Sequence, residues 1–365
     1  MPETKTDQLT AARTIKDSNG RVLLFSCEQF VEDICLGDCC FTCGAAPGTK
    51  PFNNEHVIPR WVLKRYGLFD KQITLPNGEQ HTYGTYRVPC CEACNTHLGR
   101  TVETPVSELL LGGHAQVTAR LNPDTLSLLF TWLCLVFIKT HMKDRLLRVH
   151  RDPRHGQGKI ADGYAWPDLH HIHAVARATY SGASLGDGVV GSMMFLPIDD
   201  PTAKDLFDWI DMTAEQTVAL RIDDLGIVAV LNDACGAYHA ISHLVARLEG
   251  PLTVTQLREV AARIGVANLD LKNRPVFGTA VAGGEPPRVL LWAKHEARPE
   301  FERFNPERYG SALAFALRDR LDHLEVDGER GADPVRAKLL TGRTSFLFDE
   351  TGGFIRRIKW ETRES

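Results

Sequence analysis

The pattern of hydrophobic and polar positions along the chain predicts both helices and strands. The most apolar stretch, residues 126–138, ends at Lys139 and is shorter than the roughly twenty residues that span a bilayer. We therefore expect a buried helix over residues 125–147, with Asp124 as its N-cap, at the centre of a hydrophobic core. No contact with a membrane is predicted.

Shorter patterns lie on both sides of this helix. Towards the N-terminus they predict a strand over residues 21–25, helical segments over 28–34 and 60–66, and a hairpin over 73–88 around Asn77-Gly78. Towards the C-terminus they indicate strands between residues 170 and 230, then helices over 237–248, 254–264 and 306–324, and short strands over 344–360. The strand region includes HIHAVARATY, whose histidines we interpret as ordinary strand residues and not as metal ligands. The predicted fold class is α+β.

The composition of the chain changes near residue 112. Eight of the ten cysteines lie before residue 95, and Gly112-Gly113 ends the cysteine-rich part. We predict two domains, residues 1–112 and a larger mixed α/β domain over residues 113–365. The second domain is expected to select the substrate, sense a regulatory ligand or form a homodimer. The first residues are polar and include no apolar segment, so no signal peptide is predicted and we expect a soluble, cytoplasmic protein.

The overall charge gives little evidence of a partner. Lys and Arg number 42 against 46 for Asp and Glu, and the net charge is −4 at pH 7. Any surface that binds nucleic-acid phosphates must therefore be local. Four basic residues near the cysteines could form such a surface: Arg60, Lys64, Arg65 and Arg100. The alternative is that they are an ordinary solvated helix face.

The N-terminal part contains two Cys-x-x-Cys pairs, Cys40 with Cys43 and Cys91 with Cys94. This spacing lets a tight turn direct both sulfur atoms of a pair to one side, and two such pairs are typical of a tetrahedral structural zinc site. The neighbouring cysteines leave the register open. Cys39 could replace Cys40, and Cys90 could replace Cys91, in a pair with a three-residue gap.

Three further polar residues accompany these pairs. Glu55 and His56 lie between the pairs, and Asn95 directly follows the last cysteine. A carboxylate and an amide oxygen suit a hard divalent cation, and a neutral imidazole suits proton abstraction near pH 7. Pro59 favours extended backbone just before it, so His56 is expected near the end of a strand. The residues predict a small metal-dependent phosphodiesterase centre.

The ordered set Cys-x-x-Cys, Glu-His-x-Ile-Pro and Cys-x-x-Cys-Asn resembles the zinc-stapled HNH (ββα-metal) endonucleases, and most closely the phage endonuclease VII-like resolvases. The resemblance covers roughly residues 35–105. It implies an N-terminal zinc-bound ββα-metal domain in which His56 is the general base and Glu55 and Asn95 bind one catalytic magnesium or manganese ion. The implied function is hydrolysis of a nucleic-acid phosphodiester bond, with DNA as the default substrate.

The chain departs from the family pattern in several places, which include a long gap between His56 and Cys91. Glu55 stands where the family usually has aspartate, and the extra methylene could shift the bound ion. Many members also carry a second histidine three or four residues beyond the asparagine, where this chain has Leu98 and Gly99. The third protein ligand of the catalytic ion is therefore undefined. His97 lies only two residues beyond and is expected to point elsewhere.

A function of a different class fits the same cysteines. A non-catalytic zinc module that docks nucleic acid or protein needs the zinc ligands but has no use for Glu55, His56 and Asn95. The presence of these three residues favours the endonuclease. The chain resembles stand-alone HNH enzymes with a large partner domain, and this resemblance suggests a link to mobile elements or phage defence. A third hypothesis is a nuclease that stays inactive until the second domain binds an effector or partner, and the sequence does not distinguish it from a constitutive enzyme.

Overall fold

A computed structural model describes residues 13–74, 80–150, 152–284 and 286–356 of the chain. Its strands are β1 Ile15–Lys16, β2 Val22–Leu24, β3 Glu55–His56, β4 Gln72–Thr74, β5 Gln80–Thr82, β6 Arg87–Val88, β7 Ala183–Leu185, β8 Met193–Pro197, β9 Phe207–Met212, β10 Thr217–Ile222, β11 Leu225–Val230, β12 Val276–Ala282, β13 Arg288–Lys294, β14 Glu325–Val326 and β15 Glu329–Arg330. Its α-helices are α1 Cys27–Gln29, α2 Arg60–Arg65, α3 Glu92–Leu98, α4 Thr104–Leu110, α5 Gly113–Ala119, α6 Pro123–Asp144, α7 His170–Ala176, α8 Ala178–Ser181, α9 Gly236–Val245, α10 Val254–Leu269, α11 Pro306–Ala316 and α12 Ala332–Leu340. Helices and strands are mixed, as the predicted α+β class requires.

The described residues form two compact units, and neither is one continuous stretch. Unit 1 takes its residues from Met1–Leu109, Asn122–Val190 and Val276–Lys294, and unit 2 takes the intervening segments and the C-terminal part from His295. The predicted boundary between residues 112 and 113 does not match this division. The change in composition marked the end of the cysteine-rich segment, whereas the unit is defined by contacts with α6, α7 and the β12–β13 hairpin, which lie far along the chain.

Helix α6 is the central helix of unit 1. It begins one residue after Asn122, whose side chain accepts hydrogen bonds from the backbone N–H groups of Asp124 and Thr125, both at 3.0 Å. The prediction of Asp124 as N-cap was wrong, because Pro123 has the backbone angle that suits the first helical position and places the cap before itself. Residues 129–139 are all buried, which confirms the predicted core helix.

The length and apolar composition of α6 would also allow it to cross a membrane. However, 72% of its apolar window is buried inside the protein, as is usual for the core helix of a folded domain. The helix packs against α7 and β6.

The predicted strand around residues 171–180 is helical. Helices α7 and α8 cover this segment, because the apolar residues of HIHAVARATY are so dense that their spacing does not distinguish a buried strand from a helix buried on several sides. The side chains of His170 and His173 donate from Nε2 to the carbonyls of Phe25, at 2.9 Å, and Phe41, at 2.7 Å. These histidines therefore bind backbone.

A two-stranded antiparallel sheet carries the Glu-His motif. In β3 and β6, Glu55 pairs with Val88 and His56 with Arg87, and α3 follows directly. Helix α3 begins at Glu92, between Cys91 and Cys94 of the second cysteine pair. The strands β4 and β5 form the predicted hairpin, whose Asn77-Gly78 turn lies outside the described residues.

Unit 2 is built on a four-stranded antiparallel sheet of order β8-β11-β10-β9. Helix α10 packs on this sheet, α9 and α11 pack on α10, and α12 packs on α11. Thr253 caps α10 with its side chain and forms a capping box with Gln256. The strands and helices predicted for this part are present with shifted ends. Of the predicted short C-terminal strands, the described residues contain a single bridge between Phe348 and Phe354.

Candidate metal centre and adjoining polar site

Four buried cysteines of unit 1 converge, and we call them the cysteine cluster: Cys40, Cys43, Cys91 and Cys94. Their sulfur atoms all lie within 4.8 Å of one another, and the Sγ atoms of Cys43 and Cys91 are 3.8 Å apart. A tetrahedral zinc ion with bonds of about 2.3 Å requires sulfur atoms about 3.8 Å apart, so the cluster can hold a metal ion such as zinc.

The cluster settles the register that the sequence left open. Cys39 and Cys90 are not members, although the Cys90 thiol lies beside the cluster, with its Sγ 4.0 Å from Cys40 Sγ. Hydrogen bonds from the thiols of Cys43, Cys90 and Cys94 lower the pKa of Cys40. The same thiol contacts raise the pKa values of Cys43 and Cys94, so within the cluster Cys40 is the first thiol to lose its proton.

The first cysteine pair is held by a tight turn and by α7. The backbone N–H of Gly44 donates to the Cys40 carbonyl at 2.8 Å, and Gly44 has a φ of +74°, which favours glycine. The two carbonyls inside the turn are also bound. His173 donates to Phe41 O, and Arg177 Nε donates to Thr42 O at 2.8 Å. Donors on successive turns of the α7–α8 segment thus fix the turn that presents the sulfur atoms.

The second cysteine pair is joined to the Glu-His strand. The Cys90 carbonyl accepts hydrogen bonds from the backbone N–H groups of Asn53, at 3.2 Å, and Asn54, at 3.3 Å. Asn95 donates from Nδ2 to Asn53 Oδ1 at 2.9 Å and to Asn54 O at 3.4 Å. Asn54 has a φ of +53°, in the left-handed region, and β3 begins at the next residue. The asparagine after the last cysteine therefore lies against the residues that lead into Glu55 and His56.

Glu55 is buried in an ion-pair network. Its Oε1 accepts from Lys139 Nζ at 3.1 Å, and the same ammonium group lies 3.4 Å from Glu103 Oε1. Burial raises the pKa of Glu103 to about 7, while the positive charge of Lys139 acts in the opposite direction. Burial alone would lower the pKa of Lys139, but the two carboxylates raise it, so the ammonium stays charged. The sequence analysis identified neither Lys139 nor Glu103 as a site residue.

His56 is half-buried, and its two ring nitrogens differ. Nε2 is enclosed, with no hydrogen-bond partner among the residues that the structure describes, and the ring meets Phe69 edge-on at 6.0 Å. Burial lowers the pKa of His56, and the positive charges of Arg87, Lys139 and Arg60 act in the same direction. The imidazole is therefore neutral near pH 7, and Nδ1 is the nitrogen that is not enclosed.

The basic residues around the site are only partly those predicted. Arg60, Lys64, Arg65 and Arg100 are all exposed, and the charge of Arg60 acts on His56. Arg87 was missed, although strand pairing places it directly beside His56, and it is exposed. The sequence did offer a signal for Arg87, because it is a basic residue that stands two positions before Pro89, close to the second cysteine pair.

His97 points away from the Glu-His motif, as expected. Its Nε2 is enclosed without a hydrogen-bond partner among the described residues, and its ring meets Tyr180 edge-on at 6.1 Å. Leu98 is buried as a core residue of α3. The structure thus gives His97 no role beside Glu55.

No protein-family model, curated protein or solved structure matches this chain. The residues of the site are therefore the basis for assigning a function, and they establish a buried four-cysteine group that can hold a metal ion.

Proposed function

We propose that the protein is a divalent-metal-dependent HNH-type endonuclease that hydrolyses nucleic-acid phosphodiester bonds, with DNA as the default substrate. One observation carries the proposal: the contact of Asn95 with Asn53 and Asn54. This contact brings the residue after the last cysteine to the segment that leads into Glu55 and His56, although about forty residues separate them. A zinc module without catalysis does not need this convergence.

Each residue of the site has a role in this proposal. The cysteine cluster holds a structural zinc ion that fixes both halves of the site. His56 takes a proton from the attacking water through Nδ1, and its lowered pKa keeps the imidazole in the neutral form that this step requires. Arg87 and Arg60 place positive charge beside His56, where the scissile phosphate would bind.

Glu55 and Asn95 would hold the magnesium or manganese ion. The Asn95 side-chain nitrogen Nδ2 already donates a hydrogen bond to Asn53, so the side-chain oxygen Oδ1 is the atom left to bind a cation. One oxygen of Glu55 faces Lys139, and the other carboxylate oxygen completes a pair of hard ligands. When bound, such an ion neutralises the phosphate and the leaving oxygen.

One observation favours the alternative, a non-catalytic zinc module that binds nucleic acid or protein. Glu55 is buried, and its charge is already compensated by Lys139. A carboxylate in this state can serve folding alone. The two candidates differ in whether His56 is needed for a reaction or only for the structure.

The decisive experiment is cleavage of supercoiled plasmid, branched DNA and single-stranded RNA, with and without Mg²⁺ or Mn²⁺. The wild-type protein is compared with His56→Ala and with the matched control His97→Ala, and zinc content is measured in all three. We expect metal-dependent cleavage by the wild type and the control, and a loss of at least about a hundredfold in His56→Ala with zinc retained. Cleavage that survives in His56→Ala would refute the proposed base. If no substrate is cut while nucleic acid is bound, the zinc module is the better assignment.

A further inference from the structure

Lys139 is the only charged residue in the continuously buried part of α6, residues 129–139, and its side chain is completely enclosed. Its ammonium contacts two carboxyl groups, 3.1 Å from Glu55 Oε1 and 3.4 Å from Glu103 Oε1, and these two groups also lie in hydrogen-bond contact with each other. The side chains of Glu55 and Glu103 are only 8% and 14% exposed. The ammonium group is held in place, because its removal would leave two buried carboxylates without a compensating positive charge.

The two glutamates without this ammonium would form an attractive place for a divalent ion. Carboxylate oxygens are the preferred ligands of Mg²⁺ and Mn²⁺, and a site with two carboxylates binds such ions more strongly than one carboxylate with an amide oxygen. The proposed catalytic ion, however, must lie near Asn95 and His56. Asn95 contacts the residues that precede Glu55, and in the described part of the chain no contact joins it to Glu103.

We infer that Lys139 is a positioning residue: its ammonium pairs with both Glu55 and Glu103, so that Glu55 binds a divalent ion together with Asn95 and not together with Glu103. This inference rests on the proposed function for the identity of the ion and of its ligands. Glu103 is then the partner that retains Lys139 and is not the missing third ligand. Groups that orient a metal-binding carboxylate from behind commonly change metal affinity or activity by ten- to a hundredfold when they are removed.

The test measures Mn²⁺ binding to the zinc-loaded full-length protein by electron paramagnetic resonance of free Mn²⁺, so it does not depend on cleavage. In Lys139→Met, which keeps the length of the side chain and removes its charge, we expect Mn²⁺ to bind about tenfold more tightly than in the wild type. We also expect this binding to survive Asn95→Ala in the Lys139→Met background, whereas Asn95→Ala weakens it in the wild type. Mn²⁺ affinity that is unchanged in Lys139→Met, or that is still lost with Asn95→Ala, would overturn the inference.

Glu103→Gln supplies a second arm in case Lys139→Met does not fold. It leaves Lys139 paired with Glu55, so we expect Mn²⁺ affinity close to that of the wild type. A loss of about tenfold or more would make Glu103 a ligand of the ion and would refute the assigned role of Lys139. If the proposed function is wrong, the wild-type protein will not cleave any substrate. The comparison of Mn²⁺ affinities does not depend on cleavage, so it still decides what Lys139 does.

Discussion

At the scale of single residues, His171 shows how burial alone sets a protonation state. Its ring stacks on Phe277, with the centroids 3.8 Å apart and the planes at 17°, and Nε2 is enclosed without a hydrogen-bond partner among the described residues. Burial lowers the pKa of His171 to about 3. The folded protein therefore keeps this imidazole neutral under conditions in which the unfolded chain protonates it.

This difference predicts a loss of stability in acid. The folded pKa of His171 lies below the unfolded value of about 6.5, so its contribution is present above that pH and is lost as the pH falls towards 3. The loss is at most about 1.4 kcal/mol per pH unit. We expect the unfolding free energy, measured in urea between pH 7.5 and 5, to fall less steeply for His171→Phe, which preserves the stack on Phe277. Parallel curves for the two proteins would contradict the prediction.

Arg87 is the residue beside His56 for which we predict a role in binding phosphate. Its Nε donates to the Gly84 carbonyl at 3.0 Å, and the residue is exposed to solvent. We expect Arg87→Ala to weaken nucleic-acid binding and to reduce the slope of log affinity against log salt by about one. Arg87→Lys should retain part of the affinity because it keeps the charge but not the bidentate geometry.

The control for this prediction is Arg336→Ala, which removes an exposed arginine of α12 in unit 2. We expect its affinity and salt slope to equal those of the wild type. An equal loss in both variants would mean that binding depends on total charge and not on the surroundings of His56.

Site residues could be predicted from the sequence where the chemistry is written locally. The spacing of the cysteine pairs predicted the four members of the cluster. Glu55, His56 and Asn95 stand next to them in a recognisable order, and their roles stay predictions. Lys139 and Glu103 carry no such mark. Lys139 ends the apolar run of the predicted helix, yet it is fully buried, because two carboxylates from distant parts of the chain compensate its charge.

At the scale of secondary-structure elements, the N-terminus of α6 distinguishes two candidate caps. Asn122 accepts two backbone hydrogen bonds, and its own N–H donates to the Thr125 hydroxyl at 2.8 Å. We expect Asn122→Ala to lower the unfolding free energy by about 1 kcal/mol. Asp124→Ala, the residue that the sequence pattern favoured, should cost less, about 0.3–1 kcal/mol at low salt, because its charge interacts only with the helix dipole.

Thermal or urea unfolding of both variants at low and high salt measures this difference. The effect of Asp124→Ala should shrink in high salt because helix-dipole interactions are screened, whereas that of Asn122→Ala should persist. A larger effect of Asp124→Ala than of Asn122→Ala in high salt would show that Asn122 is not the working cap.

Elements were predictable where a turn or cap residue bounded a clear period, as for α2, α10 and the strands β8, β10 and β11. The α7–α8 segment failed for a physical reason. It is buried on several sides, so polar positions that would reveal a helical period are few, and its histidines and Arg177 are polar residues that bind backbone inside the protein. When polar residues are paired and buried inside the protein, polar and apolar positions no longer separate into an exposed face and a buried face, and the helical period cannot be recognised.

At the scale of the whole molecule, the two units should respond differently to removal of the metal. The cysteine cluster joins residues 40–43 to residues 91–94, and α7 and Arg177 bind the first of these turns. Structural zinc contributes about 10–16 kcal/mol of apparent binding free energy in small domains. We expect chelation to expose the backbone amides of α3, α7 and β2 to hydrogen exchange while those of β10, β11 and α10 remain protected.

Hydrogen exchange followed by mass spectrometry, with and without chelator, measures this response. Cys94→Ser should reproduce the effect of the chelator, and Cys235→Ser, which changes an exposed cysteine outside the cluster, should not. Restored protection after zinc is added back completes the control. Equal loss of protection in both units, or none in either, would contradict the prediction.

The limits of the two units differ from the predicted boundary, because composition describes neighbours in sequence, while a unit is made of neighbours in space. This discontinuity has a consequence during synthesis. The last cluster ligand, Cys94, leaves the ribosome about 200 residues before β13, the last segment of unit 1, is complete. At about 5–20 residues per second, the nascent chain carries its four thiols for roughly 10–40 seconds before unit 1 can close around them. Early capture of zinc would protect these thiols from oxidation throughout that interval.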